Sequence, residues 1–332
     1  MNSHDYEENE PLHFVTPLKY SKALSEFIPG ATELYIKLEN CQPSGSYKIR
    51  GVGRLARKLK ERGCQQLVSA SGGNAGVAAA YASRIIDIPC TVYVPQSTEP
   101  ACIKLIKDNG AQVKIVGSSY SMAEEIAIKE AENPGIGFLS PYNHAEIWAG
   151  NSTMMDELKV QLPSKPSTIV LSVGGGGLLL GVLKGLERLG WQDVPVVAME
   201  TFGAHCFNLS VKAKKIVALE KITSIAKCLG ARTVAPHLLE ILPHFNIISE
   251  VVTDAQAVRS CIKFADDEHI LVEPGCGATL SAVYCGVLEK LQTEGVLPHL
   301  TMGPVVVIVC GGNSVSLSLL KEWAENFNVP FP

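Results

Sequence analysis

The sequence predicts an α/β protein with two open, twisted, mainly parallel sheets and flanking helices. Three observations carry that expectation. Short β-rich runs alternate with amphipathic helical runs along nearly the whole chain. Several β-rich runs are almost continuously apolar, as strands are when both faces of a sheet are covered. Glycine clusters stand where an apolar run gives way to a helical one, and in open α/β sheets such strand ends are where ligands bind.

In chain order, ELYIKLEN reads as a strand, and the turn Pro43-Ser44-Gly45-Ser46 leads into the basic helical pattern IRGVGRLARKLKERG. QLVSAS is a strand, SGGN a turn, and NAGVAAAYASRIID an alanine-rich helix. CTVYVP and QVKIVG are further strands, with the helix SMAEEIAIKEAE behind them. A second set begins at Ser167 with the strand STIVLSV, four glycines and the helix GLLLGVLKGLERLG. PVVAME is its next strand, GATLSAVYCGVLEKLQTEG reads as one helix, and PVVVIVC is the last strand. Two sets of units imply two open domains with a cleft between them.

Composition narrows the function classes. Hydrophobic residues are 46% and charged residues 19%, which describes a globular chain. The net charge is −4 with both signs scattered, so no nucleic-acid partner is expected. The polar, acidic start MNSHDYEENE is unlike a targeting signal, and no apolar run is long enough for a membrane span. A cytoplasmic protein without membrane contact is expected. The ten cysteines form no CxxC pair and show no ligand spacing, which argues against zinc and for reduced thiols.

Several residues have two readings when taken singly. Lys48 alone is one cation among Arg50, Arg54, Arg57 and Lys58 on a solvated helix face. The SGGNAG loop is either a tight turn capped by Asn74 or Ser71, or an anion site made by a helix N-terminus. Gly174, Gly175, Gly176 and Gly177 make a nest of N–H groups suited to phosphate, although no GK[ST] follows as in a P-loop. Gly174-x-Gly176 also half-matches a dinucleotide fingerprint, with Leu179 at the third glycine and Glu200 where a ribose-binding acid belongs. That leaves a nicotinamide dehydrogenase as an alternative. Cys310, at the end of the last strand, is by itself a buried structural thiol.

Lys48 in PSGSYKIRG, the SGGNAG loop, SVGGGGLL, ILVEPGCGA and VVIVCGG occur in one chain in this order. Together they resemble the serine/threonine dehydratase family of fold-type II pyridoxal-phosphate (PLP) enzymes, whose fold is tryptophan synthase β-like. GAQVKIVG, WQDVPVVAMETFGAHCFN and ITSIAKCLGA extend the resemblance over most of the chain.

The resemblance implies a small domain, 42–144, carrying the Schiff-base lysine and inserted in a large PLP-binding domain of 1–41 and 145–332. Lys48 would hold PLP and act as the catalytic base, which requires surroundings that favour its neutral amine. Tyr47 would lie against the ring, Asn74 would bond its phenolic oxygen, and Gly174 to Gly177 would bind its phosphate. Ser71, Gly72, Gly73, Asn74 and Ala75 would hold the substrate carboxylate. Cys310 would face the pyridine nitrogen, where many PLP enzymes place a carboxylate.

The implied activity is L-serine/L-threonine ammonia-lyase, giving pyruvate or 2-oxobutyrate plus ammonia. Alternatives are a serine racemase, a β-replacement enzyme, or a weakly active relative with a binding role. Glu200 and Ala204 would contact K+, and a homodimer is implied. Gly72 and Asn151 depart from residues common in relatives, which opens the rate and the preferred amino acid.

Overall fold

The computed structural model describes residues 10–332. These divide into two compact units, one of residues 10–14 and Gln42–Asn151, the other of Val15–Cys41 and Ser152–Pro332. The described residues contain ten strands: β1 (Leu18–Tyr20), β2 (Leu34–Leu38), β3 (Gln66–Ser69), β4 (Cys90–Val94), β5 (Gln112–Ile115), β6 (Ile136–Leu139), β7 (Thr168–Ser172), β8 (Val196–Thr201), β9 (Ile247–Val252) and β10 (Val305–Val309).

In the first unit four parallel strands lie in the order β5-β4-β3-β6. In the second, six lie in the order β1-β2-β10-β7-β8-β9, and β1 alone is antiparallel. Every residue of β4, β7, β8 and β10 is buried, which is why these runs lack polar alternation. Each fully buried Val or Leu side chain contributes about 1.5–3 kcal/mol, so these central strands anchor their sheets. The edge strands β5 and β9 are more exposed and carry Lys114 and Glu250.

Three strands escape sequence reading, each for a local reason. β1 has three residues, β6 follows Pro134-Gly135 and contains Gly137, and β9 is a half-buried edge. The single helix expected from GATLSAVYCGVLEKLQTEG is two, Pro274–Tyr284 and Val287–Thr293. Gly286 separates them at φ +70°, a conformation that ends a helix.

The helix Lys48–Glu61 does not present all its cations to water. Arg50, expected on the solvated face, is fully buried, and its Nη2 donates to the Phe14 carbonyl at 3.5 Å. Its neighbours Gly51 and Gly53 leave room for close packing. A Cβ on Gly51 would lie 2.7 Å from the Ile147 carbonyl oxygen, and one on Gly150 would lie 2.2 Å from the Arg50 carbonyl oxygen. The helix Ala145–Asn151 is therefore locked against the helix of Lys48 and stays with the first unit. Asn151 is buried in that packing, with Oδ1 beside Gly51.

Residues 10–14 also stay with the first unit. Leu12 packs on Gly53, and the Phe14 backbone exchanges two 3.0 Å hydrogen bonds with the Gln42 side chain. The chain then passes to the second unit at Val15. There the buried Lys37 on β2 donates to Thr16 O at 2.9 Å, Glu157 Oε2 at 2.5 Å and Gln161 Oε1 at 2.8 Å. Three acceptors satisfy a cation that burial would otherwise disfavour. Among the described residues no helix is long and apolar enough to cross a membrane.

Candidate active site

In the first unit, Lys48 opens the helix Lys48–Glu61 directly after a turn in which Gly45 takes φ +72°. Tyr47 is the N-cap residue, with its ring centroid 5.1 Å from Lys48 Nζ. Lys48 is half-buried, and its Nζ donates to the Pro141 carbonyl at 2.8 Å. Pro141 lies just beyond the carboxyl end of β6. The SGGN loop leaves the carboxyl end of the adjoining strand β3, where Ser69 Oγ donates to Leu139 O at 3.0 Å. Lys48 Nζ and the Ser71–Ala75 loop are thus brought to the same edge of one sheet.

That loop resolves the choice between a capped turn and an open helix end. Gly73 is the N-cap residue of the helix Asn74–Ile85, and no side chain among the described residues caps it. Ser71 Oγ instead accepts from Gly73 N at 3.3 Å. Asn74 and Ala75 are buried in the first turn, where backbone N–H groups and the helix dipole favour an anion. A Cβ on Gly72 would lie 2.5 Å from Thr98 Cγ2, so Thr98 occupies the space that an alanine methyl would need. A Cβ on Gly73 would meet nothing within 4 Å, which leaves that side of the loop open.

In the second unit, β7 runs into Gly174–Gly177 and the helix Gly177–Leu189. Gly176 is its N-cap residue at φ +89°, again without a side-chain cap among the described residues. A Cβ would approach the Leu229 backbone at 3.1 Å from Gly174 and Leu238 Cδ2 at 2.8 Å from Gly176. The Gly175 carbonyl accepts from Ala235 N at 2.9 Å, and the Gly174 carbonyl from Cys206 Sγ at 3.7 Å. Burial pushes the Cys206 thiol up to about 12, so it remains a donor. With these carbonyls turned into the protein, planarity of the trans peptide turns the next N–H groups the other way.

Cys310, directly after β10, is 4% exposed and lies at the same sheet edge as the glycine loop. Its Sγ is 3.6 Å from Ser172 Oγ at the end of β7 and 3.3 Å from Cys276 Sγ. Glu273, Cys276 and Cys310 have their ligand atoms within 4.8 Å of one another, all buried. Cys276 and Glu273 were not singled out from sequence, although both lie in ILVEPGCGA. The signal was unreadable because Cys310 comes from a strand 34 residues downstream of Cys276. Pro141 as the acceptor of Lys48 was equally hidden, 93 residues away.

Glu200, on β8, is fully buried. Its Oε1 and Oε2 accept from Phe207 N at 2.9 Å and Asn208 N at 2.7 Å, at the start of the helix Cys206–Ala213. Burial nevertheless lifts its carboxyl to about 8, against the pull of those two N–H groups. Ala204 is buried in the same turn and donates its N–H to Thr201 O at 2.9 Å.

Residues 10–311 match the family described as pyridoxal-phosphate dependent enzyme. The chain is 48% identical over 321 residues to the human L-serine dehydratase/L-threonine deaminase, covering 96% of this chain and 97% of that protein. It is 47% identical over 312 residues to the human serine dehydratase-like protein, covering 94% of each. The crystal structure of a fungal L-serine ammonia-lyase from Rhizomucor miehei is similar with a TM-score of 0.89 at 35% identity, covering 96% of this chain and 100% of that one. The chain belongs to the family of pyridoxal-phosphate dependent enzymes, in its serine/threonine dehydratase branch.

Proposed function

We propose that the protein is an L-serine/L-threonine ammonia-lyase that converts L-serine to pyruvate and ammonia, and L-threonine to 2-oxobutyrate and ammonia. The residues present fit PLP. A glycine nest crowded at Gly174 and Gly176 suits a phosphate, a half-buried lysine amine suits an aldehyde, and a buried thiol suits a ring nitrogen. The observation that carries the reading is that Lys48 Nζ and the uncapped SGGN helix end share one sheet edge.

Gly174 to Gly177 would hold the phosphate of PLP, and Tyr47, Lys48, Asn74 and Cys310 would hold its ring and substituents. Bound PLP supplies an electron sink for the substrate's Cα. The N–H groups from Ser71 to Ala75 bind the substrate carboxylate and so orient its Cα–H. Lys48 Nζ, which holds the cofactor in the resting enzyme, takes the Cα proton as general base. A thiol at Cys310 would support positive charge on a PLP ring less than a carboxylate would. That would favour loss of the β-hydroxyl as water, with the proton that Lys48 has taken available to it, over return of the proton to Cα.

The same reading places K+ beside Glu200 and Ala204, where a cation would compensate the burial of the carboxylate. It also takes the protein to be a cytoplasmic homodimer. Purified protein should be yellow, borohydride should fix PLP on Lys48, and L-serine should yield pyruvate. Protein that binds PLP yet forms no pyruvate, or that racemises the remaining serine faster than it eliminates, overturns the lyase assignment.

A further inference from the structure

We propose that Glu273, Cys276 and Cys310 form a binding site for one thiophilic divalent cation of the zinc class, and that this cation and the cofactor exclude one another. The exclusion rests on the role given to Cys310 under the proposed function; the metal site itself rests on the second unit alone.

The donor set selects the ion. Two sulfurs and one carboxylate suit zinc, cobalt(II) or cadmium and not magnesium or calcium, which take oxygen. The geometry is nearly assembled, since the three ligand atoms lie within 4.8 Å of one another and the two sulfurs are 3.3 Å apart. At a metal–sulfur distance of about 2.3 Å, tetrahedral sulfurs lie about 3.8 Å apart, so the pair needs to open by only about half an ångström.

Rigid elements hold the ligands. Glu273 is the N-cap residue of the helix Pro274–Tyr284 and Cys276 lies three residues on, so both are at its first turn. Cys310 is fixed by the end of β10 at the centre of its sheet. The sulfurs also have the supporting contacts that thiolate ligands require. Gly311 N donates to Cys276 Sγ at 3.3 Å, and Ser172 Oγ lies 3.6 Å from Cys310 Sγ. Cys228 Sγ lies 2.4 Å from where a Cβ on Gly275 would fall, so glycine there admits a further sulfur beside the helix start.

Binding replaces the two thiol protons by one dication, and those protons leave to solvent. Cys276 is fully buried and Cys310 is 4% exposed, so Cys310 is the edge through which an ion reaches the cluster. A Cys310 sulfur committed to a metal cannot also meet the ring nitrogen, and by reciprocity each ligand weakens the other.

The test titrates the full-length protein carrying its cofactor with Co2+ under a non-thiol reductant. It reads the sulfur-to-cobalt charge-transfer band and, separately, PLP released to a filtrate. The band should saturate at one Co2+ per chain, PLP should be released in step as water hydrolyses its linkage to Lys48, and excess PLP should raise the apparent Kd for Co2+ at least tenfold. Cys276→Ser should remove the band, and Glu273→Gln should weaken Co2+ binding at least tenfold. Cys41→Ser, at an exposed thiol, should leave both unchanged. A band that persists in Cys276→Ser, or is absent from the parent protein, overturns the site. A band indifferent to PLP overturns the exclusion. Neither readout uses pyruvate formation, so failure of the lyase assignment is recognised independently.

Discussion

Lys48 Nζ donates a 2.8 Å hydrogen bond to the carbonyl oxygen of Pro141, which fixes the amine at the carboxyl end of β6. Lys48→Ala should therefore remove the visible absorbance of the protein and lower the rate of pyruvate formation by about a thousandfold or more. Lys58→Ala, further along the same helix in an exposed pair with Glu61, should change stability by less than about 0.5 kcal/mol and spare the rate. Absorbance and a coupled pyruvate assay on both variants check this.

The glycine loop makes a prediction about affinity. Gly176→Ala places a Cβ at φ +89° and 2.8 Å from Leu238 Cδ2, distorting the turn that presents the N–H groups. PLP should dissociate at least about tenfold more readily, equivalent to about 1.4 kcal/mol. Equilibrium dialysis against PLP measures it. Unchanged affinity would remove the phosphate role from the loop.

Gly72 and Thr98 act as a pair. Because Thr98 fills the space beside Gly72, Gly72→Ala alone should displace Thr98 or the loop and lower kcat/KM for L-serine. Gly72→Ala with Thr98→Ala should recover much of the loss, since Cγ2 at 2.5 Å and Oγ1 at 2.8 Å are both removed. A double-mutant cycle in kcat/KM that shows no coupling would separate the two residues.

Packing of the two glycine-bearing helices sets a stability prediction. Gly150→Ala puts a Cβ 2.2 Å from the Arg50 carbonyl oxygen and should cost about 1–3 kcal/mol in urea unfolding. The displaced helix begins at Lys48, so activity should fall as well, in contrast to an exposed change such as Val160→Ala.

Glu200 predicts a pH dependence of cation stabilisation. Its folded value, about 8, exceeds the ordinary 4.5, so the native state holds a proton there that the unfolded chain has lost. Without a cation, stability therefore declines as pH rises between those values. If K+ binds ionised Glu200, the gain in Tm from KCl over choline chloride should be larger at pH 8 than at pH 6. An equal gain at both pH values, or an unchanged gain in Glu200→Gln, would place the cation elsewhere.

Much of this was legible in the residues. The buried strands β4, β7, β8 and β10 announced themselves because burial on both faces leaves an uninterrupted apolar run. The two glycine loops were legible because a close approach or a positive φ admits little else, as at Gly76, where a Cβ would lie 1.9 Å from the Ser71 carbonyl oxygen. Of the edge strands, β5 was legible in QVKIVG, but β1, with three residues, and the half-buried β9 were not, because half-exposed pairing demands no strict pattern.

By itself the sequence determined the fold class, the loops at the strand ends and the resemblance that singles out Lys48 and Cys310. These are local properties, written in periodicity, turn chemistry and short motifs. Only the tertiary structure decided that Arg50 is buried, that Thr98 stands against Gly72, and that Cys276 and Glu273 join Cys310. Each of these depends on side chains from distant segments meeting at one point. That meeting is set by strand order and helix packing, to which spacing along the chain is blind.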